Sequence, residues 1–426
     1  MVLPMFTPIE PALTTAATVR FDDLAPLTAP VSNHAGDPIR SRWPVYAEDE
    51  ITAVAAVLRS GRVNALHHGD QTRAFERAFA DLCRAPHAIS VANGTLALEL
   101  ALRALGVGPG DEVIVPARSF MASASCVAAI GAIPIFADVD PDSQALNACT
   151  VAQAITSRTK AVIVVHLAGW PAPMHEIMVL ARAMGLYVIE DCAQAHGAVH
   201  DGDPVGSLGD AAAFSFCTDK IISTGGEGGM LILHDKKVWE RAWAYKDHGK
   251  LPEPVDQNGA PGTFRWLHAS LGSNYRATEM QATLGLCQLG KLAGWVETRQ
   301  RNAHILDAAL APLPAVRLTV PPADVRHAYY KYYAFVRPEL LARGWNRDRI
   351  IGECIVAGVP CGAGSCPEIY REQAFVGSPS APLNRLPVSW RLGETSLMLP
   401  VDPTLDAGTV ERMGMIVASV IANATA

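Results

Sequence analysis

The chain is short of charge: only 18% of its 426 residues are Asp, Glu, Lys or Arg, against 50% hydrophobic residues. A polar, highly charged disordered chain is thereby excluded, because this much apolar surface supports a large buried core. There is no long basic run, and the formal net charge is -7. A nucleic-acid surface built on phosphate neutralisation is not expected. An anionic small molecule is still allowed, since a pocket can be locally basic on an acidic protein. Cysteine pairs with CxxC spacing are missing among the nine cysteines, and the odd count argues against a disulfide framework. Cys361 and Cys366 have no matching second pair, so they do not make a zinc site. The thiols are read as small, mostly buried side chains of a reducing compartment. No apolar stretch reaches the roughly 20 residues needed to span a bilayer. The first residues, MVLPMFTPIEPALTTAATVRFDDL, show no basic segment followed by an apolar one. The expectation is a soluble cytoplasmic protein without membrane or nucleic-acid partners.

What is present is ordered alternation. Residues 1–40 are rich in Pro, Ala and Thr and are read as an N-terminal extension. YAEDEITAVAAVLRSG then has helical spacing, with Ile51, Val54, Ala55 and Leu58 on one stripe and Gly61 as a stop. Short apolar runs follow at 112–116, 133–139, 161–166, 186–191, 212–216 and 229–233. The first four are separated by helix candidates around 119–130, 150–156 and 173–184. Val/Ile-rich runs alternating with helices predict a mostly parallel sheet covered on both faces, an α/β fold. The texture changes near 295, where prolines cluster at 312–322 and helix candidates lie at 346–357 and 405–422. The predicted layout is a large domain over 41–295 and a smaller C-terminal α+β domain over 296–426.

Three segments carry candidate chemistry. In VANGTLALELALRAL, Asn93 and Gly94 form a turn and Thr95 opens a helix. Free N–H groups and the helix dipole make such a start a phosphate cradle, although any well-capped helix looks alike. In VIEDCAQAHGA a strand ends in Glu190-Asp191, where open α/β sheets place ligands. A carboxylate there serves equally as a metal ligand, a base or a helix cap. In FSFCTDKIISTGGEGGM, Lys220 sits among Phe, Cys, Ile and Gly and precedes a Gly-rich loop. Lysines are usually solvated, but one in such a setting can act as an amine nucleophile.

Together, a phosphate-binding helix start, a strand-end Asp about a hundred residues on and a Lys about thirty residues further resemble the layout of fold-type-I pyridoxal-phosphate enzymes. The chain is similar to the DegT/DnrJ-type sugar aminotransferases from about Arg42 to its end. The stretches that carry the resemblance are SGRVNALHHGDQTRAFERAFA, NGTLALELALRALGVGPGDEVIVPARSFMASAS, VHLAGWPAPM, IEDCAQAHGA, SFCTDKIISTGGEGGM, KDHGK and GSNYRATEMQATLGLCQL.

The resemblance implies a fold-type-I transferase and roles for individual residues. Lys220 matches the lysine that holds pyridoxal 5'-phosphate as a Schiff base, and Asp191 matches the carboxylate on the pyridine nitrogen. Gln194 matches a position that hydrogen-bonds the ring hydroxyl, where many members have His. Phe120 matches the stacking aromatic, and Gly94, Thr95 and Ser215 match phosphate ligands. Asn274 matches a residue that reaches the phosphate of a neighbouring subunit, which implies a homodimer with shared active sites. His248, in KDHGK, matches a position on the substrate side.

Met280, Leu284 and Cys287 share one helical face, a stripe that core packing explains equally well. His327 and the tyrosines at 329, 330, 332 and 333 are read first as core on a half-buried strand, with a substrate-facing side as the alternative. His166 and His196 receive no catalytic role. The implied reaction moves an amino group from L-glutamate or L-glutamine to a keto sugar by ping-pong exchange. A nucleotide-linked 4-keto-hexose is favoured over a keto-cyclitol. A dehydratase would carry His in place of Lys220. A non-catalytic cofactor-binding relative is disfavoured by Lys220, Asp191 and Gln194 together. GGEGG lacks the strand–GxGxxG–helix setting of a dinucleotide site.

Overall fold

The computed structural model describes residues 36–65, 69–250, 252, 268–378 and 380–425. Most of the expected extension at 1–40 lies outside the described residues. Residues Pro38–Ala426 form one compact unit.

Its centre is a seven-stranded sheet. Across the sheet the strands run His87–Val91, Gly229–Leu233, Ala211–Ser215, Tyr187–Asp191, Thr159–Val165, Glu112–Pro116 and Ile133–Ala137. The last five pair in parallel. Gly229–Leu233 runs against both its neighbours. All six apolar runs read from the sequence are strands, and the expected mostly parallel sheet is observed. The edge strand His87–Val91 was not anticipated, because its HAISV lacks a continuous Val/Ile signature.

Alternate residues of each strand enter different cores, as the two-residue strand period requires. Val113 and Val115 join one cluster, whereas Ile114 joins another across the sheet. Ala211 and Ala213 likewise separate from Ala212 and Phe214. Helices Gly94–Ala104, Ala122–Ala129 and Met174–Met184 lie between or beside these strands, so both faces are dry. The carboxyl ends of the parallel strands therefore lie at one edge, where the connections that follow them can carry polar residues.

A second sheet of three strands, Val316–Arg317, Tyr332–Val336 and Ser396–Leu399, has its own core with helices Arg347–Val356 and Ala407–Ala424. The division expected near 295 falls inside the helix Leu292–Leu310. The helix's Leu292 and Val296 pack with the large-sheet residues, and its Ala303, Leu306 and Leu310 pack with the second core. Among the described residues, no helix is long and apolar enough to cross a membrane.

The stripe Met280, Leu284 and Cys287 is half-buried on helix Glu279–Leu289. The face that packs inward is instead Ala282, Thr283 and Gly285. Gly285 is needed because a Cβ there would come within 2.4 Å of the Phe75 ring.

Candidate active site

The convergent strand ends enclose a cavity of about 810 Å³. Lys220, Asp191, Gln194, Gly94, Thr95, Ser215 and Phe120 all line it. Seven positions spread over more than a hundred residues of sequence thus meet in one place.

The phosphate-like end is built by helix Gly94–Ala104. The helix begins at Gly94 rather than Thr95, because the Asn93 side chain caps it by accepting from Leu96 N at 3.0 Å. That leaves the N–H groups of Gly94 and Thr95 at the first turn without intrahelical acceptors, facing an end of positive potential. Position 94 tolerates only glycine: a Cβ there would stand 2.6 Å from the Cβ of Ser215. Ser215 ends the strand Ala211–Ser215 and accepts from Cys217 N at 3.3 Å.

Asp191 ends the next strand and is buried. Its carboxylate accepts from Ser123 Oγ at 2.9 Å and from Ala193 N at 3.2 Å. It makes no ion pair within 4.0 Å among the described residues. Burial raises its carboxyl above the ordinary 3.8, opposed by the Ser123 and Ala193 bonds and by the charges of Lys220 and His166. Such a buried, uncompensated carboxylate fits a cationic ligand group placed beside it.

Its sequence neighbour Glu190 has a different fate. Both Glu190 oxygens are engaged, by Gly206 N, Leu208 N, Gly209 N and the His166 ring. Although burial opposes ionisation, His166 and these N–H groups hold the Glu190 carboxyl below its ordinary value. His166 Nδ1 accepts from Ala172 N, so Nε2 carries the proton toward Glu190. His166, Glu190 and Cys192 bring ligand atoms within 4.8 Å of one another, but the first two are already committed to the fold. His196 is fully buried among Phe79, Phe214 and Phe216, and burial pushes its ring down to about 3. It is a neutral core histidine.

Gln194 accepts from Ala168 N at 2.7 Å through Oε1. The donor on Ala168 identifies the accepting atom as oxygen, and so leaves the Gln194 amide nitrogen to donate toward the cavity. Phe120 is 66% exposed, an uncovered ring on the cavity wall. Lys220 is half-buried; its Nζ lies 3.5 Å from Tyr330 Oη and 3.7 Å from Asp219.

Asn274 and His248 do not line this cavity. Both are exposed and adjacent: Asp247 and Asn274 form a β-bridge, and His248 N donates to Ser273 O at 2.9 Å. Tyr330, Lys331 and Tyr333 also line it. The first reading of the 329–333 tyrosines as core holds for Tyr329, Tyr330 and Tyr332, which are buried in core clusters, while Tyr333 is half-buried. Tyr330 combines both readings: it packs in the core, lines the cavity and donates to Asp219 across 111 residues of sequence. His327 stacks on Tyr329, accepts its N–H at 2.8 Å, and is pushed down to about 3 by burial. Ser123 was also missed, since nothing local in ASASCVAA marks one serine over the other.

The sequence pattern of the DegT/DnrJ/EryC1/StrS aminotransferase family matches residues 44–418. A UDP-N-acetyl-3-dehydro-alpha-D-glucosamine 3-aminotransferase of Acidithiobacillus ferrooxidans is 36% identical over 379 residues, 89% of this chain and 95% of its own. An L-glutamine:2-deoxy-scyllo-inosose aminotransferase of Streptomyces paromomycinus is 38% identical over 320 residues, 72% of this chain and 74% of its own. The crystal structure of an aminotransferase from Psychrobacter cryohalolentis superposes with a TM-score of 0.87 at 46% identity, covering 90% of this chain and 99% of that one.

Proposed function

The chain belongs to the DegT/DnrJ/EryC1/StrS aminotransferase family, and we propose that it moves the amino group of L-glutamate or L-glutamine to a nucleotide-linked keto-hexose. The family is pyridoxal-phosphate dependent, and the chain is an aminotransferase of the sugar and cyclitol class. The observation that carries the reading is the meeting of Lys220, Asp191, Gln194 and the Gly94 helix start around one cavity.

When bound, pyridoxal phosphate supplies an electron-accepting ring that stabilises negative charge at the donor's α-carbon. The first-turn N–H groups of Gly94 and Thr95, with Ser215, would hold the phosphate. Asp191 would hold a positive charge on the ring nitrogen, and the Gln194 amide would donate to the ring hydroxyl. The Phe120 ring would pack against the cofactor ring. Lys220 would anchor the cofactor, and its amine would take the proton from the donor's α-carbon and give one at the acceptor carbon. A positioned amine of this kind accelerates proton transfer by about 10²–10⁴-fold.

Asn274 and His248 belong, in this reading, to the site of a second subunit. Both are exposed, both stand apart from the cavity of their own chain, and the helix that follows Asn274 leaves Met280, Leu284 and Cys287 half-covered. A homodimer with shared sites accounts for all three features.

The favoured ketone is at C4 of the hexose; the stretch SFCTDK–TGGEGGM resembles members acting on 4-keto sugars and also some acting on keto-cyclitols. The cyclitol relative at 38% identity favours a second reading, a keto-cyclitol acceptor. The test is amino transfer from each donor to nucleotide-linked 4-keto- and 3-keto-hexoses and to a keto-cyclitol. Turnover with the 4-keto-hexose supports the first reading, and turnover with the cyclitol alone supports the second. No amine on any acceptor, with no keto acid formed from either donor, overturns both.

A further inference from the structure

Lys331 lines the same cavity as Lys220 and Asp191, and its ammonium stands out there. It makes neither an ion pair nor a hydrogen bond among the described residues. Its one contact of charge character is the Tyr330 ring, whose centroid lies 5.0 Å from Nζ. The Nζ of Lys220 lies 4.8 Å from the same ring. Two ammonium groups thus share one tyrosine ring.

The nearby carboxylates, Asp219 and Asp402, act on Lys331 through their charge without pairing with it within 4.0 Å. Asp219 accepts from Tyr330 Oη and lies 3.7 Å from Lys220. Asp402 accepts from Thr404 N at 3.1 Å and from Thr404 Oγ1. The remaining neighbour, Arg299, is a second buried cation. The wall around Tyr333 adds a third: Arg118 is fully buried, lies over Tyr333 at 5.8 Å and donates to neutral acceptors, Gln144 Oε1, Ser365 O and Ser396 Oγ. This end of the cavity is therefore positive although the chain as a whole carries a net charge of -7. Burial lowers the Lys331 ammonium from its ordinary value; Asp219 and Asp402 oppose that, and Arg299 and Lys220 reinforce it. An ammonium left in this state is stabilised by an incoming anion.

We propose that Lys331 is a specificity-determining residue that binds an anionic oxygen group of a substrate, either the carboxylate of the amino donor or the diphosphate of a nucleotide-linked acceptor. This rests on the reading of the chain as an amino-acid:keto-sugar aminotransferase. A double-displacement site receives two dissimilar molecules in turn. An ammonium that makes no ion pair or hydrogen bond among the described residues can serve one of them without first breaking a bond within the protein.

The test compares the wild-type holoenzyme with Lys331→Gln and Lys331→Arg. Glutarate stands in for the donor carboxylate and UDP for the diphosphate, each titrated calorimetrically, and the donor and acceptor half-reactions are followed separately. The expected result is that Lys331→Gln weakens one probe by about 10- to 100-fold and raises KM in the matching half-reaction alone. Lys331→Arg restores most of that binding. Loss confined to glutarate and the donor half names the carboxylate; loss confined to UDP and the acceptor half names the diphosphate. Unchanged binding of both probes, or equal loss of both together with weaker cofactor binding, overturns the proposal. Failure of the wild type to transfer any amine would instead sink the functional reading, while glutarate binding would still report on Lys331.

Discussion

The indole Nε1 of Trp43 donates to the backbone carbonyl of Lys220 at 2.8 Å, across 177 residues of sequence. The Trp43 ring meets Trp295 edge to face at 4.8 Å and is backed by the Arg299 guanidinium at 5.1 Å. Arg299 also donates to the carbonyl of Tyr330 at 3.2 Å. The segment before the first helix thereby braces, from behind, both chain segments that meet at the Lys220 amine. Trp43→Phe deletes the donor and trims the ring that packs on Trp295 and Arg299. It should cost about 1–3 kcal/mol of stability and lower kcat several-fold, with donor KM nearly unchanged. Thermal unfolding and steady-state kinetics measure the two effects, and an unaltered kcat would remove Trp43 from the positioning of Lys220.

Gly94→Ala tests the phosphate end. The new Cβ would stand 2.6 Å from Ser215 Cβ and 3.1 Å from its Cα, so backbone must move. A loss of about 1–3 kcal/mol is expected, together with weaker cofactor binding in a spectroscopic titration. A variant that binds the cofactor as well as wild type would show that this helix start is not the cradle.

Asp191→Asn separates stability from function. The folded carboxyl lies above its unfolded value of 3.8, so ionised Asp191 destabilises the cofactor-free fold at neutral pH. That penalty fades as pH falls through the folded value and is gone below 3.8, where both states are protonated. The cofactor-free variant should therefore melt above wild type at pH 7, and the difference should shrink on acidification. Amino transfer should fall steeply, because a neutral amide no longer holds the ring nitrogen's charge. A variant that melts lower at pH 7 would contradict the uncompensated burial.

Lys220→Ala should abolish the visible absorbance of lysine-bound cofactor and slow transfer by at least about 100-fold. Retention of both would reassign the anchoring lysine.

Asn274→Asp tests the shared site. A carboxylate placed near a partner's phosphate should weaken cofactor binding by about 10-fold through like-charge repulsion. The melting temperature of the cofactor-free protein should hardly move, since Asn274 is exposed. Equal cofactor affinity in variant and wild type would count against the partner-site role.

Lys220, Asp191 and the Gly94 turn were legible because each belongs to a local pattern: a strand end, a helix start or a glycine-rich loop. Tyr330 and Tyr333 were not. Among the clustered aromatics at 329–333, a side chain that also borders a cavity and one that is core alone have the same neighbours in sequence. Their difference is made by what lies opposite: Asp219 for Tyr330, and Asp307, which accepts from Tyr332 at 2.8 Å, for its core-facing neighbour. The stripe on helix Glu279–Leu289 was misplaced for a related reason. Helical spacing shows which residues share a face, but Phe75, about 200 residues earlier, decides that the small Ala282–Gly285 face turns inward.

By itself, then, the sequence determined the alternation of strands and helices, the order of the site motifs and Lys220 as the candidate anchoring lysine. These follow from short-range physics: side-chain periodicity, the demands of a capped helix start, and turns that need glycine. Only the tertiary structure decided which distant groups surround that lysine. Trp43, Tyr330, Arg299 and Lys331 owe their places to the packing of a second core against the first, and long-range packing leaves no periodic trace in the chain.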